Sequence, residues 1–74
     1  MLIYLIKRKD LAGWDENIAH VIAANNPTEA REVAKQYSAD EGSSVWDRAD
    51  ISTLGIYSKN KKKPFIILTD FKAG

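Results

Sequence analysis

Four short stretches with strand-forming character run along the chain, separated by polar and turn-forming segments. They cover residues 2–6, 18–24, 49–57 and 64–71, and their β-branched and aromatic side chains favour strands over helices of that length. The first stretch is apolar at both alternating positions. That pattern is typical of a central strand whose two faces are both covered.

A helix is predicted between the second and third strands. Asn26 is a good capping residue, Pro27 suits the first helical position, and Glu29 can reach back toward the cap. An apolar stripe with helical spacing follows, made of Ala30, Val33, Ala34 and Tyr37. The helix is expected to run from about Pro27 to about Asp40 and to end before Gly42.

The order ββαββ predicts an α+β fold: a single domain over residues 1–74, with a four-stranded, mainly antiparallel sheet and one helix packed on one face. The polar segment 58–63 joins two strand-like stretches, which indicates a hairpin between the last two strands. If the strands alternate in direction, the basic segment 7–9 lies at the opposite end of the sheet from this hairpin. Gly55, after Leu54, indicates a bulge or a close approach of two backbones.

The sheet has more apolar surface than one helix can cover. The first and last strands are apolar on both faces, so the face away from the helix presents apolar side chains to water or to another molecule. Contiguous apolar patches on small proteins usually mark contact sites. We expect a partner, or a second copy of the chain, on this face. The alternative is that loops holding Trp14 and Trp46 fold over it as lids.

The composition argues against an enzyme. The chain has 74 residues, no cysteine and one histidine, so it offers no thiol nucleophile, disulfide or thiolate metal site. A catalytic zinc site commonly uses three protein ligands, and His20 is the only imidazole. We expect a structural or surface role for His20, no metal, no cofactor and no catalytic residues.

The N-terminus is apolar for only six residues before Lys7. A signal peptide carries its charges first, and a membrane-spanning helix needs about 20 apolar residues. We therefore expect no membrane association and a cytoplasmic location.

A lysine cluster is the strongest charged feature, although the net charge is only +1. It consists of Lys59, Lys61, Lys62 and Lys63. At a hairpin tip these lysines could contact a phosphate backbone or an acidic surface, with Tyr57 and Phe65 available for stacking. A charged tip is also an ordinary way to keep a sheet soluble.

The loop around Trp14 is the other candidate contact. A tryptophan among carboxylates either packs onto the sheet or anchors a partner, because tryptophan is enriched in interface hot spots. The residues predicted to contact a partner are Trp14, Asp15, Tyr4 and Trp46.

Three segments give the chain a resemblance to known proteins: residues 13–16, the strand end and capped helix at 24–34, and the C-terminal sequence 70–74. Together they resemble small uncharacterised proteins encoded by tailed phages and prophages. Length and ββαββ order are also similar to those of some phage anti-CRISPR proteins. The resemblance supplies no catalytic residues. It implies a non-enzymatic protein in the host cytoplasm that binds and interferes with a host protein or nucleoprotein complex.

Two alternatives remain. One is a small nucleic-acid-binding module that uses the lysine cluster, and the other is a structural homodimer in the virion. Of these, direct phosphate contact by lysines predicts a steep salt dependence of binding.

Overall fold

The computed structural model describes residues 1–10, 13–59 and 63–73. Its elements are β1 (Leu2–Lys7), β2 (Glu16–Ala24), α1 (Pro27–Gln36), a short 3₁₀ helix (Ser44–Asp47), β3 (Asp50–Ile56) and β4 (Phe65–Lys72). The predicted fold class and the ββαββ order are confirmed. All strand ends agree with the predicted bounds to within two residues.

The four strands form one antiparallel sheet in the order β3-β1-β2-β4. The central position predicted for β1 is confirmed, but the predicted hairpin between β3 and β4 is wrong, because these strands form opposite edges of the sheet. With β4 beside it, the nine-residue β2 becomes an internal strand. A β3–β4 hairpin would have left the long apolar β2 as an exposed edge, which is a site of unwanted pairing.

The start of α1 follows the predicted capping pattern. The Asn26 side chain accepts a hydrogen bond from the Glu29 N–H at 2.8 Å, and Pro27 occupies the first turn. The Glu29 carboxylate reaches back to the N–H of Asn25 rather than to that of the cap itself. The first interaction satisfies a backbone donor that the start of the helix leaves without an internal partner.

The helix ends at Gln36, earlier than predicted. The Asn17 side chain donates to the Tyr37 carbonyl at 3.2 Å, and the Ser38 hydroxyl donates to the Lys35 carbonyl at 2.8 Å. These side chains satisfy carbonyls at the helix end, so the chain can leave the helix there. Tyr37 consequently lies outside the buried stripe and is exposed, contrary to the prediction.

The core lies between α1 and one face of the sheet. Its buried members are Tyr4, Ile6, Ile22, Ala24, Ala30, Val33, Ala34, Trp46 and Ala49. Alanines on both the helix and the strand let the two layers approach closely, and Trp46, from the 3₁₀ helix, supplies the largest buried side chain. Burying a large apolar side chain stabilises the fold by about 1.5–3 kcal/mol.

Three register shifts change which residues share a face, one between β1 and β3 and two between β2 and β4. One of the latter lies between Asn17 and Ala19, where Ile18 of β2 is the extra residue. In β3 the register with β1 shifts between Ile3 and Tyr4, so Leu54 is an extra residue and the predicted bulge is confirmed. In β4 the register with β2 shifts between Val21 and Ile22, and Ile67 is the extra residue. A bulge interrupts the simple alternation of side chains along a strand.

Candidate interaction surface

The sheet face away from α1, called the open face below, consists of three rows that each cross the four strands. The first row is Asp50, Lys7, Ala19 and Asp70; the second is Ser52, Leu5, Val21 and Leu68; the third is Gly55, Ile3, Ala23 and Phe65. These positions alternate along the central strands with the core residues that pack against α1.

The second row is the apolar centre of the open face. Leu5 and Val21 are half-buried, and Leu68 is 65% exposed. In the part of the chain that the structure describes, α1 and Trp46 pack on the opposite side of the sheet. The row borders a shallow depression of about 270 Å³, whose lining also includes Lys7 and Asp70. The second face is therefore apolar at its centre, as expected from the sequence.

An aromatic pair lies at one end of the open face. The rings of Tyr57 and Phe65 meet edge to face, with their centroids 5.1 Å apart. Tyr57 follows β3 and Phe65 begins β4, so the pair reaches across the two central strands from opposite edges. Ala23, which lies in the same row, is fully buried although it faces away from α1. We call these two rings the ring pair.

The other end of the open face is charged. Lys7 and Asp70 flank Ala19 in the first row, about 10 Å apart at two strand spacings. Asp50 lies on the other side of Lys7 and pairs with the Lys9 ammonium at 3.2 Å. The open face thus runs from a charged end to an aromatic end.

Trp14 and Asp15 form a turn near the charged end. Trp14 is 67% exposed, so it neither packs onto the sheet nor acts as a lid. The Lys72 ammonium lies 4.7 Å from the centroid of the indole, and the Asp15 N–H donates to the Lys72 carbonyl at 2.7 Å. The Asp40 N–H donates to the Asp15 carbonyl at 3.2 Å. The two backbone hydrogen bonds of Asp15 therefore fix the turn from which Trp14 is displayed.

Two of the predicted contact residues are inaccessible. Tyr4 is 2% exposed because it alternates with the open-face residues and points into the core. Trp46 is fully buried, and its ring lies 4.8 Å from that of His20. Neither side chain can meet a partner, so their predicted contact role is wrong, as is the idea of Trp46 as a lid.

Two further aromatic residues near Trp14 are exposed, and the sequence pattern did not indicate either of them as a partner contact. Tyr37 and Phe71 are both exposed and lie close to Asn17, which donates to the Tyr37 carbonyl and pairs with Phe71 in the sheet. The helical spacing of Tyr37 suggested burial. The position of Phe71 depends on bulges that the sequence does not reveal.

The lysine cluster is described only at its ends. Lys59 and Lys63 are exposed, whereas Lys61 and Lys62 lie outside the described residues. The segment leaves β3 beside Met1, and Lys7 lies at the far end of β1, so the predicted separation from the basic segment 7–9 is confirmed for these residues. The rings expected to stack on bases, Tyr57 and Phe65, contact each other.

Arg8 is a buried structural cation. Its guanidinium forms a two-pronged pair with Asp10 at 2.9 and 2.7 Å and donates to Glu16 at 2.8 Å and to the Asn17 carbonyl at 3.0 Å. The Arg8 hydrogen bond lowers the pKa of Asp10. The Gly13 N–H and then Arg8 lower the pKa of Glu16. These contacts join the end of β1 to the start of β2.

His20 occupies the structural position expected for it. It is 1% exposed, and its Nδ1 lies 2.7 Å from the Thr69 hydroxyl. Burial lowers the pKa of His20, while the charge of Glu41 acts in the opposite direction. The imidazole is a core side chain that packs against the Trp46 ring.

Two kinds of feature are absent from the described part of the chain. Within residues 1–10, 13–59 and 63–73, no three His, Cys, Asp or Glu side chains form a group that could hold a metal ion. The described helices are all too short or too polar to cross a membrane. Comparisons with known protein families, curated proteins and solved structures find no match.

Proposed function

We propose that the protein is a non-enzymatic interaction protein that binds a macromolecular partner through the open face, with Trp14 as a second contact at its charged end. The observation that carries this proposal is the second row, in which the apolar Leu68 is 65% exposed beside the half-buried Leu5 and Val21. Covering Leu68 and the exposed parts of its two neighbours is worth about 1.5–3 kcal/mol. A partner that covers the row recovers that energy.

The open face is small for an interface. From the strand spacing and the rise per residue, the twelve open-face positions cover about 400 Å² in projection, whereas a standard stable interface buries about 800 Å² of accessible surface on each partner. Affinity depends on anchor residues more than on area, and the exposed Trp14 offers an anchor of the kind that dominates interface energies.

The nature of the partner rests on two arguments. The charged row mixes Asp50, Lys7 and Asp70, which suits a protein surface with charges of both signs better than a uniformly negative phosphate backbone. The resemblance to small phage proteins supports a host protein or nucleoprotein complex in the cytoplasm, including CRISPR and other defence complexes. Interference then consists of occupying a surface that the complex needs.

The test is differential capture from a bacterial lysate. Leu68→Asp and Val21→Lys each place a charge in the second row, and Trp14→Ala removes the displayed anchor. Ile56→Asp is the matched control, because Ile56 is a 75% exposed edge-strand residue that pairs with Leu2 on the helix side of the sheet. Circular dichroism establishes that each variant is folded.

We expect the wild type and Ile56→Asp to capture the same partner, and Leu68→Asp and Val21→Lys to lose it. Trp14→Ala should weaken capture without lowering the thermal stability appreciably. Equal capture by all variants would overturn the proposal. Recovery that disappears on nuclease treatment, falls steeply with salt and is lost in Lys59→Glu/Lys63→Glu would favour the nucleic-acid alternative instead.

A further inference from the structure

The two edges of the sheet differ in chemistry. Both edges carry exposed apolar side chains, Leu54 and Ile56 on β3 and Ile67 and Leu68 on β4. On β3 they are separated by Gly55 and preceded by polar residues, whereas the middle of β4 is the continuous apolar sequence 66–68. Ile67 and Leu68 are exposed, and no described strand lies beyond β4. An apolar edge strand is a template for pairing with another strand, and proteins usually protect such an edge with charges.

We infer that β4 pairs antiparallel with β4 of a second copy, about a two-fold axis, in a single register. Because Ile67 is an extra residue, Phe65 and Leu68 lie on the same face although they are three positions apart. Antiparallel pairing sets residues of one face opposite each other. The register that places Phe65 opposite Leu68 of the copy therefore joins the two open faces.

Charges on β4 and just before it favour this register. When Phe65 lies opposite Leu68, pairing extended to Lys63, two residues before β4, sets Lys63 opposite Asp70 of the copy. The symmetry repeats that pair on the other side of the axis. Shifting the strands by two residues in one direction would place Lys63 opposite Lys72 of the copy. Opposite charges across a strand pair are stabilising and like charges are destabilising, so the first register is favoured over the second.

The dimer makes one eight-stranded sheet with a continuous open face of about 800 Å², which is the size of a standard interface surface. Pairing itself does not depend on the proposed function. Only the use of the doubled surface for a partner rests on that proposal. The dimer therefore offers a partner twice the open face that a single copy offers.

The experiment measures the mass in solution by light scattering over a concentration series. The dimer has two symmetry-related pairs between residue 63 of one copy and residue 70 of the other. Lys63→Asp places two carboxylates opposite each other in each pair, and Asp70→Lys places two ammonium groups opposite each other. Lys59→Asp is the matched control, because Lys59 is an exposed lysine at the same end of the molecule but six residues before β4, beyond the reach of the proposed strand pair. The double variant Lys63→Asp/Asp70→Lys exchanges the charges and restores opposite pairs.

We expect the wild type and Lys59→Asp to dimerise, each single β4 variant to weaken the dimer about tenfold, and the double variant to recover it. A wild-type monomer at every concentration, or a dimer that the single reversals leave unchanged, would overturn the inference. The two proposals separate cleanly. If Lys63→Asp is a monomer and still captures the partner, the proposed function holds without the dimer. If Val21→Lys is a dimer and loses the partner, the inference about the dimer is unaffected.

Discussion

The indole N–H of Trp46 donates a 3.1 Å hydrogen bond to Oε2 of Glu41. The other carboxylate oxygen, Oε1, accepts the backbone N–H groups of Asn17 at 2.9 Å and Ala39 at 3.1 Å. Burial acts to raise the pKa of Glu41, but the Asn17 N–H and the other donors outweigh it and lower that pKa. One carboxylate thus joins the loop after α1, the start of β2 and the largest core side chain.

Removing this carboxylate should destabilise the fold. We expect Glu41→Ala to lower the free energy of unfolding by about 3 kcal/mol, because it leaves the buried Trp46 indole N–H and the Asn17 N–H without acceptors. Glu41→Gln keeps one acceptor oxygen and should cost less. Urea denaturation measures both. Glu32→Ala, at an exposed helix position, is the control and should change stability by less than about 0.5 kcal/mol; an equal loss in the control would contradict the assignment.

His20 should make the stability fall as the solution is acidified. Its ordinary pKa is 6.5, and burial lowers it in the folded state. Below about pH 6.5 the unfolded chain therefore binds a proton that the folded chain does not, and stability decreases until the pH reaches the folded pKa. The lowered pKa values of Asp10, Glu16 and Glu41 act later, as the pH falls below about 4.5, the ordinary glutamate value.

The test compares the wild type with His20→Phe/Thr69→Val, which removes both partners of the Nδ1 contact and leaves neither unpaired. The wild type should lose unfolding free energy between about pH 6.5 and pH 5, whereas the double variant should stay level over that range. Thermal unfolding at a series of pH values measures the difference. Parallel pH profiles would show that His20 is not the titrating group.

Two glycines should respond oppositely to alanine. At Gly55, an added Cβ meets no atom within 4 Å, so Gly55→Ala should stabilise β3 by about 0.5 kcal/mol through a smaller entropy loss on folding. Gly42 has a φ of 76°, which strains an L residue, so Gly42→Ala should destabilise by about 1 kcal/mol. Melting temperatures should move up by about 2–4 °C and down by about 4–8 °C, respectively. Shifts of the same sign would contradict this account.

The parts of the fold that the sequence predicted correctly depend on neighbours in the chain. The Asn26 cap fixes where α1 starts, and the apolar residues at both positions of β1 indicate a central strand. The position of β4 in the sheet depends instead on which strands become the edges, and that involves residues far apart in the chain. The short polar segment between β3 and β4 indicated only a hairpin between these two strands. The end of α1 likewise depends on the Asn17 side chain, which comes from a different strand.

The candidate surface was predictable in kind but not residue by residue. Excess apolar residues in the first and last strands indicated an uncovered face. Assigning Tyr4 to the core and Leu5 to the open face, however, requires the register of the sheet. Trp46 looked like a loop residue because a 3₁₀ helix that carries it into the core has no distinctive pattern in the sequence. Trp14, in a similar setting, lies outside at 67% exposure, with the Lys72 ammonium over its ring.

The ring pair gives the open face a direction. A polypeptide segment that lies along the strands meets the rings of Tyr57 and Phe65 at one end and cannot continue past them without displacing their 5.1 Å contact. At the other end, the exposed Lys7 and Asp70 border the shallow depression. A chain lying along the strands would therefore meet an aromatic barrier at one end of the open face and charged side chains at the other.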